Sequence, residues 1–432
     1  MNIYYIIYLI FSSFIVACLL PFILLCVFLT GRYKKLVFER LGYYSHKFSP
    51  SKKYRVWMHA VSVGEVNVAK SIIEELFDAH ENLDIVLSTT TPKGYEVARK
   101  IIHPRLQCIY SPIDFIVSVR MAFHRIQPDI LVLLETEIWP NWIFTARALE
   151  IPIAIINGRI SKKTVSGYQK VSSLVSFIVQ KIDAFSMISP DDAKRICQIG
   201  AIPEKVSISG NAKFDLLNKS FNPQLPIQLR AFLNIHSTDF VFVAGSTRTG
   251  EEKMVLSAYQ SFLKKYPRAL CIIAPRHIER ISTITNLLKK LYLNYDLYSH
   301  CKLSQSRNAQ LILVDTIGDL AGLYSIASAV FCGGSLVPQG GQNVLEPAVW
   351  EKPVIYGPYM DDFLWAKEVL ESASAGIMVN NESELFETIQ SLANNKEKAI
   401  QIGQNARSAV LKKAGAAKKH ANIILNTLVK AS

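Results

Sequence analysis

No Cys-x-x-Cys pair occurs in the 432 residues, and the seven cysteines stand apart at positions 18, 26, 108, 197, 271, 301 and 332. That spacing excludes zinc-ribbon sites and offers no disulfide framework, so the chain reads as reduced and cytoplasmic. The nine histidines form no His-Glu-x-x-His or comparable ligand pattern, and no metal site is expected. RNA-recognition aromatics, zinc-finger spacing and a helix-turn-helix pattern are missing too. Charge is absent from one place above all: Met1 to Gly31 holds no Asp, Glu, Lys or Arg.

From Ile3 to Thr30 the chain is almost wholly apolar, and about 20 such residues span a bilayer core. No basic residue precedes this run and no small-x-small cleavage site follows it, which argues against a secretory signal. Arg32, Lys34, Lys35 and Arg40 come directly after it. Such a basic flank predicts a retained anchor whose following domains stay on the cytoplasmic side of the cell inner membrane. Pro21 leaves open whether the helix crosses fully or lies in one leaflet. The net charge of +13 (48 Lys and Arg against 35 Asp and Glu) suits an anionic membrane surface rather than nucleic acid.

Past the anchor, short apolar runs alternate with helical stretches. Strands are expected at Tyr54–Val61, Asp84–Ser88, Gln107–Tyr110, Asp129–Leu134, Ile151–Ile156, Asp183–Ile188 and Val206–Ser209. Asn, Pro and Gln interrupt the pattern near Phe221-Asn222-Pro223. A second series follows at Asp239–Ala244, Ala269–Ala274, Leu311–Val314, Ala329–Cys332 and Pro353–Tyr356, and the chain is mostly helical after Asn395. Repeated strand–helix units imply parallel sheets covered on both faces. The expected division is an anchor (1–31), a first Rossmann-like domain (32–216), a linker (217–235) and a second Rossmann-like domain (236–432). The two domains would face a cleft.

Trp57 to Glu65 is a strand that ends in a small-residue turn and opens a helix. This holds the Glu65 carboxylate at the carboxyl end of a parallel strand, where open α/β sheets bind ligands. A Glu in a first helical turn also complements the helix dipole, which is the plainer alternative. Glu135 and Glu137 end another strand and, if still extended, point to one side. Carboxylates so close call for a basic partner or a shared proton. Lys213 is a candidate cation, with a solvated surface lysine as the alternative.

In the second half, Gly340 and Gly341 would expose backbone amides to a phosphate if Asn343 opens a helix. Glu346 would then share its face and accept hydrogen bonds from ribose hydroxyls. Pro275 and Arg276 end a strand, and the planar Arg276 fork can pair with a phosphate. Asp315 to Asp319 ends the next strand and offers amides near a base or phosphate. Ala244 to Glu252 is a further polar loop after a strand.

Together these residues resemble the 3-deoxy-D-manno-octulosonic acid (Kdo) transferases that act on the lipid A precursor. The resemblance runs nearly the full length. It rests on His59-Ala-Val-Ser-Val-Gly-Glu65, Glu135-Thr-Glu-Ile-Trp-Pro140, Lys213-Phe-Asp215, Pro275-Arg276-His277 and Asn343-x-x-Glu346. The resemblance implies the GT-B glycosyltransferase fold, an inverting mechanism, CMP-Kdo as donor, lipid IVA as acceptor in the membrane, and neither metal nor cofactor. It implies Glu65 as general base, with Glu135 and Lys213 stabilising the transition state. Pro275, Arg276, Ile317, Gly318, Asp319, Asn343, Val344, Leu345 and Glu346 would contact CMP-Kdo. Gln342, Asp319 and Arg248 depart from the His, Glu and His common at those family positions. The competing readings are a GT-B enzyme using a UDP-sugar on another lipid-linked acceptor, a nucleotide-sugar epimerase, and a non-catalytic membrane scaffold.

Overall fold

A computed structural model describes residues 3–31, 33–45, 48, 54–219 and 221–431; Arg32, part of the basic flank, lies outside them. The chain forms two compact units, one of Met1–Leu216 with Lys413–Ser432 and the other of Leu217–Lys412.

The first unit carries seven strands: β1 (Tyr54–Ala60), β2 (Leu83–Thr89), β3 (Leu106–Tyr110), β4 (Ile130–Leu134), β5 (Ile153–Gly158), β6 (Ala184–Met187) and β7 (Val206–Ile208). They form one sheet in the order β3-β2-β1-β4-β5-β6-β7, every neighbouring pair parallel. Successive side chains go to opposite faces. Val56, Met58, Ile130, Val132, Ala154 and Ile156 enter one core, while Trp57, Leu131, Leu133, Ile153 and Ile155 enter the other. Burial on both faces is why these strands read as unbroken apolar runs.

The helix Ala416–Ala431 packs on this first sheet, with Ala417, Ala421, Ile424 and Leu428 in the core shared with β1 and β4. The second domain expected over 236–432 therefore stops at Lys412, and the helix Ala416–Ala431 belongs to the first unit. The apolar stripe of an amphipathic helix is visible in a sequence, but the sheet that receives it is not. Asp215 and His420 secure the helix. The Asp215 carboxylate accepts the Gly415 and Ala417 N–H groups at 2.6 and 3.1 Å. His420 bonds the Ser186 hydroxyl at 2.7 Å through Nδ1 and the Gly210 carbonyl at 3.1 Å through Nε2.

The second unit repeats the plan with β8 (Val241–Thr247), β9 (Leu270–Pro275), β10 (Asp296–Leu297), β11 (Leu311–Leu313), β12 (Ala329–Cys332), β13 (Val354–Tyr356) and β14 (Gly376–Met378). Its sheet is also parallel, in the order β10-β11-β9-β8-β12-β13-β14. The two strands with no counterpart in the sequence reading, β10 and β14, are its edges. Within 217–235 lies a helix, Leu225–Phe232, whose Arg230 donates to the Ile326 carbonyl at 3.1 Å.

In each sheet the first strand is flanked by the second strand on one side and the fourth or fifth on the other. The strand order therefore reverses between β1 and β4 and between β8 and β12. In open α/β sheets the crevice at such a reversal is the ligand position.

The helix Ile3–Thr30 is long and apolar enough to cross a membrane, with a mean hydropathy of 2.7 in its most apolar window.

Candidate active site

Glu65 follows β1 directly. Ser62 caps the helix Val63–Ala79, and its hydroxyl oxygen accepts the Glu65 N–H at 3.4 Å. The Glu65 carboxylate folds back, accepting the Val61 N–H and the Ser62 hydroxyl, each at 2.8 Å. This is close to a capping box, in which the cap and the third helical residue bond each other reciprocally. The box fixes the carboxylate instead of releasing it to solvent, and only 7% of the residue is exposed. Burial pushes its pKa up, Glu135 adds to the rise, and the Val61 and Ser62 bonds oppose it; the net direction is upward. A carboxylate raised in this way is a stronger base near neutral pH.

Glu135 follows β4, across the reversal from Glu65. Its backbone is left-handed (φ 55°), which corrects the extended geometry expected for Glu135 and Glu137. The strand stops at Leu134 and a turn places both side chains. Lys213 Nζ lies 3.4 Å from Glu135 Oε1. Glu137 is pushed up to about 7 by burial first, then by Glu65 and Glu135, against a hydrogen bond from Trp139. The structure thus brings Glu65, Glu135, Glu137 and Lys213 together at one sheet end.

The loop bearing Lys213 is tied by residues the sequence did not single out. Buried Asn157, at the end of β5, accepts the Ala212 N–H at 2.9 Å. Asn211 accepts the Lys213 N–H at 3.0 Å. Asn157 follows an apolar run that reads as a strand, but its partner across 55 residues is not legible in the sequence.

In the second unit, buried Glu251 opens the helix Glu251–Lys265. Its carboxylate accepts four backbone N–H groups: Arg248 at 2.8 Å, Gly334 at 2.6 Å, Ser335 at 2.9 Å and Leu336 at 2.8 Å. It therefore joins the β8 loop to the β12 turn across the second reversal. The sequence marked this loop as polar but not Glu251 as its organiser.

Beside this turn, Pro275 ends β9, and the Arg276 N–H donates to the Thr247 carbonyl at 3.0 Å. Arg248 Nη1 lies 2.7 Å from His277 Nε2. Asn343 Nδ2 donates to Glu346 Oε1 at 3.2 Å, and Asn343 Oδ1 accepts the Leu345 N–H at 3.2 Å. Burial pushes Glu346 up, while Asn343 and Arg276 pull it down. The positive field of Arg276 thus reaches Glu346. Val344 and Leu345 are fully buried.

Two expectations change. The helix begins at Leu345, not Asn343, and Asn343 instead closes a local turn over its start. The Gly341 N–H already donates to the Gly334 carbonyl at 2.8 Å. A Cβ on Gly340 or Gly341 would meet Asp362 or Met360. Both glycines have positive φ, so close packing accounts for them rather than a free amide. Asp319 precedes the four-residue helix Leu320–Leu323, and its carboxylate is held by Lys302 at 2.9 Å and by the Thr316 hydroxyl. Ile317 is 87% exposed beside Gly318.

Residues 35–216 match the family described as 3-deoxy-D-manno-octulosonic-acid transferase (kdotransferase). A 3-deoxy-D-manno-octulosonic acid transferase from Haemophilus influenzae is 30% identical over 411 residues, covering 94% of this chain and 95% of that protein. A bifunctional glycosyltransferase/methyltransferase from Fusobacterium nucleatum is 36% identical over 406 residues, 93% of this chain, which spans 62% of that relative's length. Among solved structures, UDP-GlcNAc 2-epimerase from Neisseria meningitidis, bound to UDP-GlcNAc, superposes with a TM-score of 0.60 at 16% identity. It covers 87% of this chain and all of that one, a likeness of fold.

Proposed function

The chain belongs to the 3-deoxy-D-manno-octulosonic acid transferase family, and on that premise we propose that it moves Kdo from CMP-Kdo to lipid IVA with inversion. The observation that carries this reading is Glu65: a carboxylate, buried and raised in pKa, fixed at a strand reversal by Val61 and Ser62 beside Glu135 and Glu137. It takes the proton of the acceptor's sugar hydroxyl as that oxygen bonds to the anomeric carbon of Kdo. The bond from that carbon to the CMP phosphate breaks, and the electron pair leaves with CMP.

Negative charge grows on the departing phosphate, so a cation helps most when it meets that charge only in the transition state. Arg276 supplies one such cation, and its planar fork suits a phosphate. Glu346, held by Asn343, accepts the ribose hydroxyls. Pro275, Val344 and Leu345 shape the donor site, and Ile317 to Asp319 lie against the nucleotide. The Lys213–Glu135 pair stabilises charge beside the base. The anchor and the excess of basic residues bring the chain to the cytoplasmic face of the inner membrane, where a phosphorylated glycolipid is held.

The test incubates purified protein with fresh CMP-Kdo, lipid IVA and EDTA, and weighs the lipid by mass spectrometry beside Glu65→Ala. The expected result is a gain of one or more Kdo masses that the variant loses. An unchanged lipid from folded protein would refute the acceptor, and inhibition by UDP rather than CMP would refute the donor.

A further inference from the structure

The apolar helix Ile3–Thr30 is held to the first unit near its start, and the short helix that follows it is held to the same unit. Near its start, the Tyr5 hydroxyl donates to Asn141 Oδ1 at 3.2 Å, and the Tyr8 hydroxyl donates to Asp114 Oδ2 at 2.5 Å. These partners form a built site. Asn141 is fully buried and its Nδ2 donates to the Asp114 carbonyl at 2.6 Å. The Asp114 carboxylate also accepts the Asn141 and Trp142 N–H groups at 3.4 and 3.3 Å. The Tyr5 ring lies on Phe144, centroids 3.8 Å apart, and only 4% of Tyr5 is exposed.

Past its other end, the short helix Lys34–Arg40 is fixed as firmly. The Glu39 carboxylate, 2% exposed, accepts the Tyr110 N–H at 2.8 Å. The Arg40 carbonyl accepts the Ile113 N–H at 2.8 Å. Tyr8 and Arg40 thus come down on Asp114 and Ile113, neighbours in one loop.

This arrangement decides topology. From Tyr8 to Thr30 a straight helix rises about 33 Å, at about 1.5 Å per residue. A hydrocarbon core is about 30 Å thick. If the helix crossed with the folded unit on one side, Tyr8 would emerge on the far side, out of reach of Asp114. We propose that the helix does not span the bilayer but lies within one leaflet, clamped by Tyr5 and Tyr8, with both of its ends on the side of the folded unit.

Its occupant is the acyl layer of that leaflet. Phe14, Leu19, Ile23 and Leu24, which fall on different sides of a helix of 3.6 residues per turn, are all exposed, and the helix carries no charge. It is apolar all round, so it sinks below the headgroups instead of floating among them as a two-faced helix does. Pro21, which cannot donate a backbone bond, lies inside it and allows it to bend back towards the surface. The exposed Lys34 directly after it suits anionic headgroups. Asn141 and Trp142 follow the turn that carries Glu135 and Glu137. The clamp therefore sets that turn at the membrane surface, where a glycolipid presents its sugar.

The test places one epitope tag on each terminus of the full chain and treats sealed membrane vesicles, cytoplasmic face outward, with protease. Both tags should be digested together. Protection of the amino-terminal tag while the carboxyl-terminal tag is lost would overturn the proposal. A fluorophore on Cys18, with the other accessible cysteines replaced, should be quenched by lipid-borne nitroxides set at the depth of one leaflet. Quenching only by a water-soluble agent, or cysteine cross-linking of two helices at Cys18, would replace the lipid by solvent or by a second copy. In Tyr8→Phe/Asp114→Asn the protected fraction of the amino-terminal tag should rise. These readouts need no enzymatic activity, so they stand apart from the assignment of substrate.

Discussion

Lys213 holds its ammonium 3.4 Å from the Glu135 carboxylate although its own helix follows β7, at the sheet edge, and Glu135 follows β4, at the centre. The loop 209–213 returns over the sheet end to make this pair, and Asn157 and Asn211 hold it there. Asp215, two residues on, caps the carboxyl-terminal helix of the chain. Under the proposed function, Asp215 is a positioning residue for that pair. Asp215→Ala should lower kcat about 10-fold or more with little change in the donor KM, since misplaced groups weaken transition-state contacts first. Asp215→Asn, which keeps an acceptor, should recover part of it. Equal losses in kcat and donor affinity would assign Asp215 another role.

Glu65→Gln preserves an oxygen that can accept from Val61 or Ser62 but cannot take a proton. It should fold like the parent and lose about 10²- to 10⁴-fold in kcat, the usual worth of a positioned base. Circular dichroism and steady-state rates together would check this. Near-parental turnover would leave Glu65 with its capping role alone.

Glu137 has its pKa raised to about 7 in the folded chain, from an ordinary 4.5. A carboxyl that is harder to ionise when folded adds stability below pH 4.5, and that contribution is lost as pH rises towards 7. Glu137→Gln should therefore be more stable than the parent at pH 8, by an amount on the order of 1 kcal/mol after allowing for partial exposure. At pH 4 the two should be close. Thermal melts at both pH values measure the difference, and a parent more stable than the variant at pH 8 would contradict it.

His420 behaves in the opposite sense. Burial pushes its pKa down from 6.5 to about 4, against a bond to the Gly210 carbonyl. The unfolded chain takes up the proton first, so stability present above pH 6.5 is lost as pH falls towards 4. The loss from this residue is about 3 kcal/mol at most. Buried His59, also pushed down to about 4, adds to the same slope. His420→Gln should flatten the acid limb of a plot of melting temperature against pH. An unchanged slope would mean that His420 does not titrate with unfolding.

Glu251→Ala would leave the N–H groups of Arg248, Gly334, Ser335 and Leu336 without their partner. A buried unsatisfied donor costs about 1–3 kcal/mol, so the second unit should fold poorly and lose nucleotide binding. Gln should restore part of the fold. Gly333→Ala should be similarly damaging, because its Cβ would sit 2.5 Å from Thr247 Cα. Proteolysis of the purified variants with and without CMP would report both effects.

Much of the architecture is legible in the chain because central parallel strands are buried on both faces. β1, β4, β5, β8 and β12 announce themselves as apolar runs, and Ser189-Pro190 marks the start of the helix Pro190–Gln198. Edge strands β10 and β14 are half-buried and short, so they carry no such signal. The Ser62-x-x-Glu65 turn is also local, since cap and carboxylate lie three residues apart. Glu251, Asn157 and His420 are not legible, because each acts on a segment more than 50 residues away.

Residues close together along the chain set the alternation of strand and helix, the uncharged apolar helix Ile3–Thr30, and the placing of Glu65 and Arg276 at strand ends. Folding brings the helix Ala416–Ala431 onto the first sheet, Lys213 to Glu135, and Tyr5 and Tyr8 of the apolar helix to Asn141 and Asp114. Those outcomes depend on which distant surfaces bury each other, and a pattern along one segment does not specify its partner.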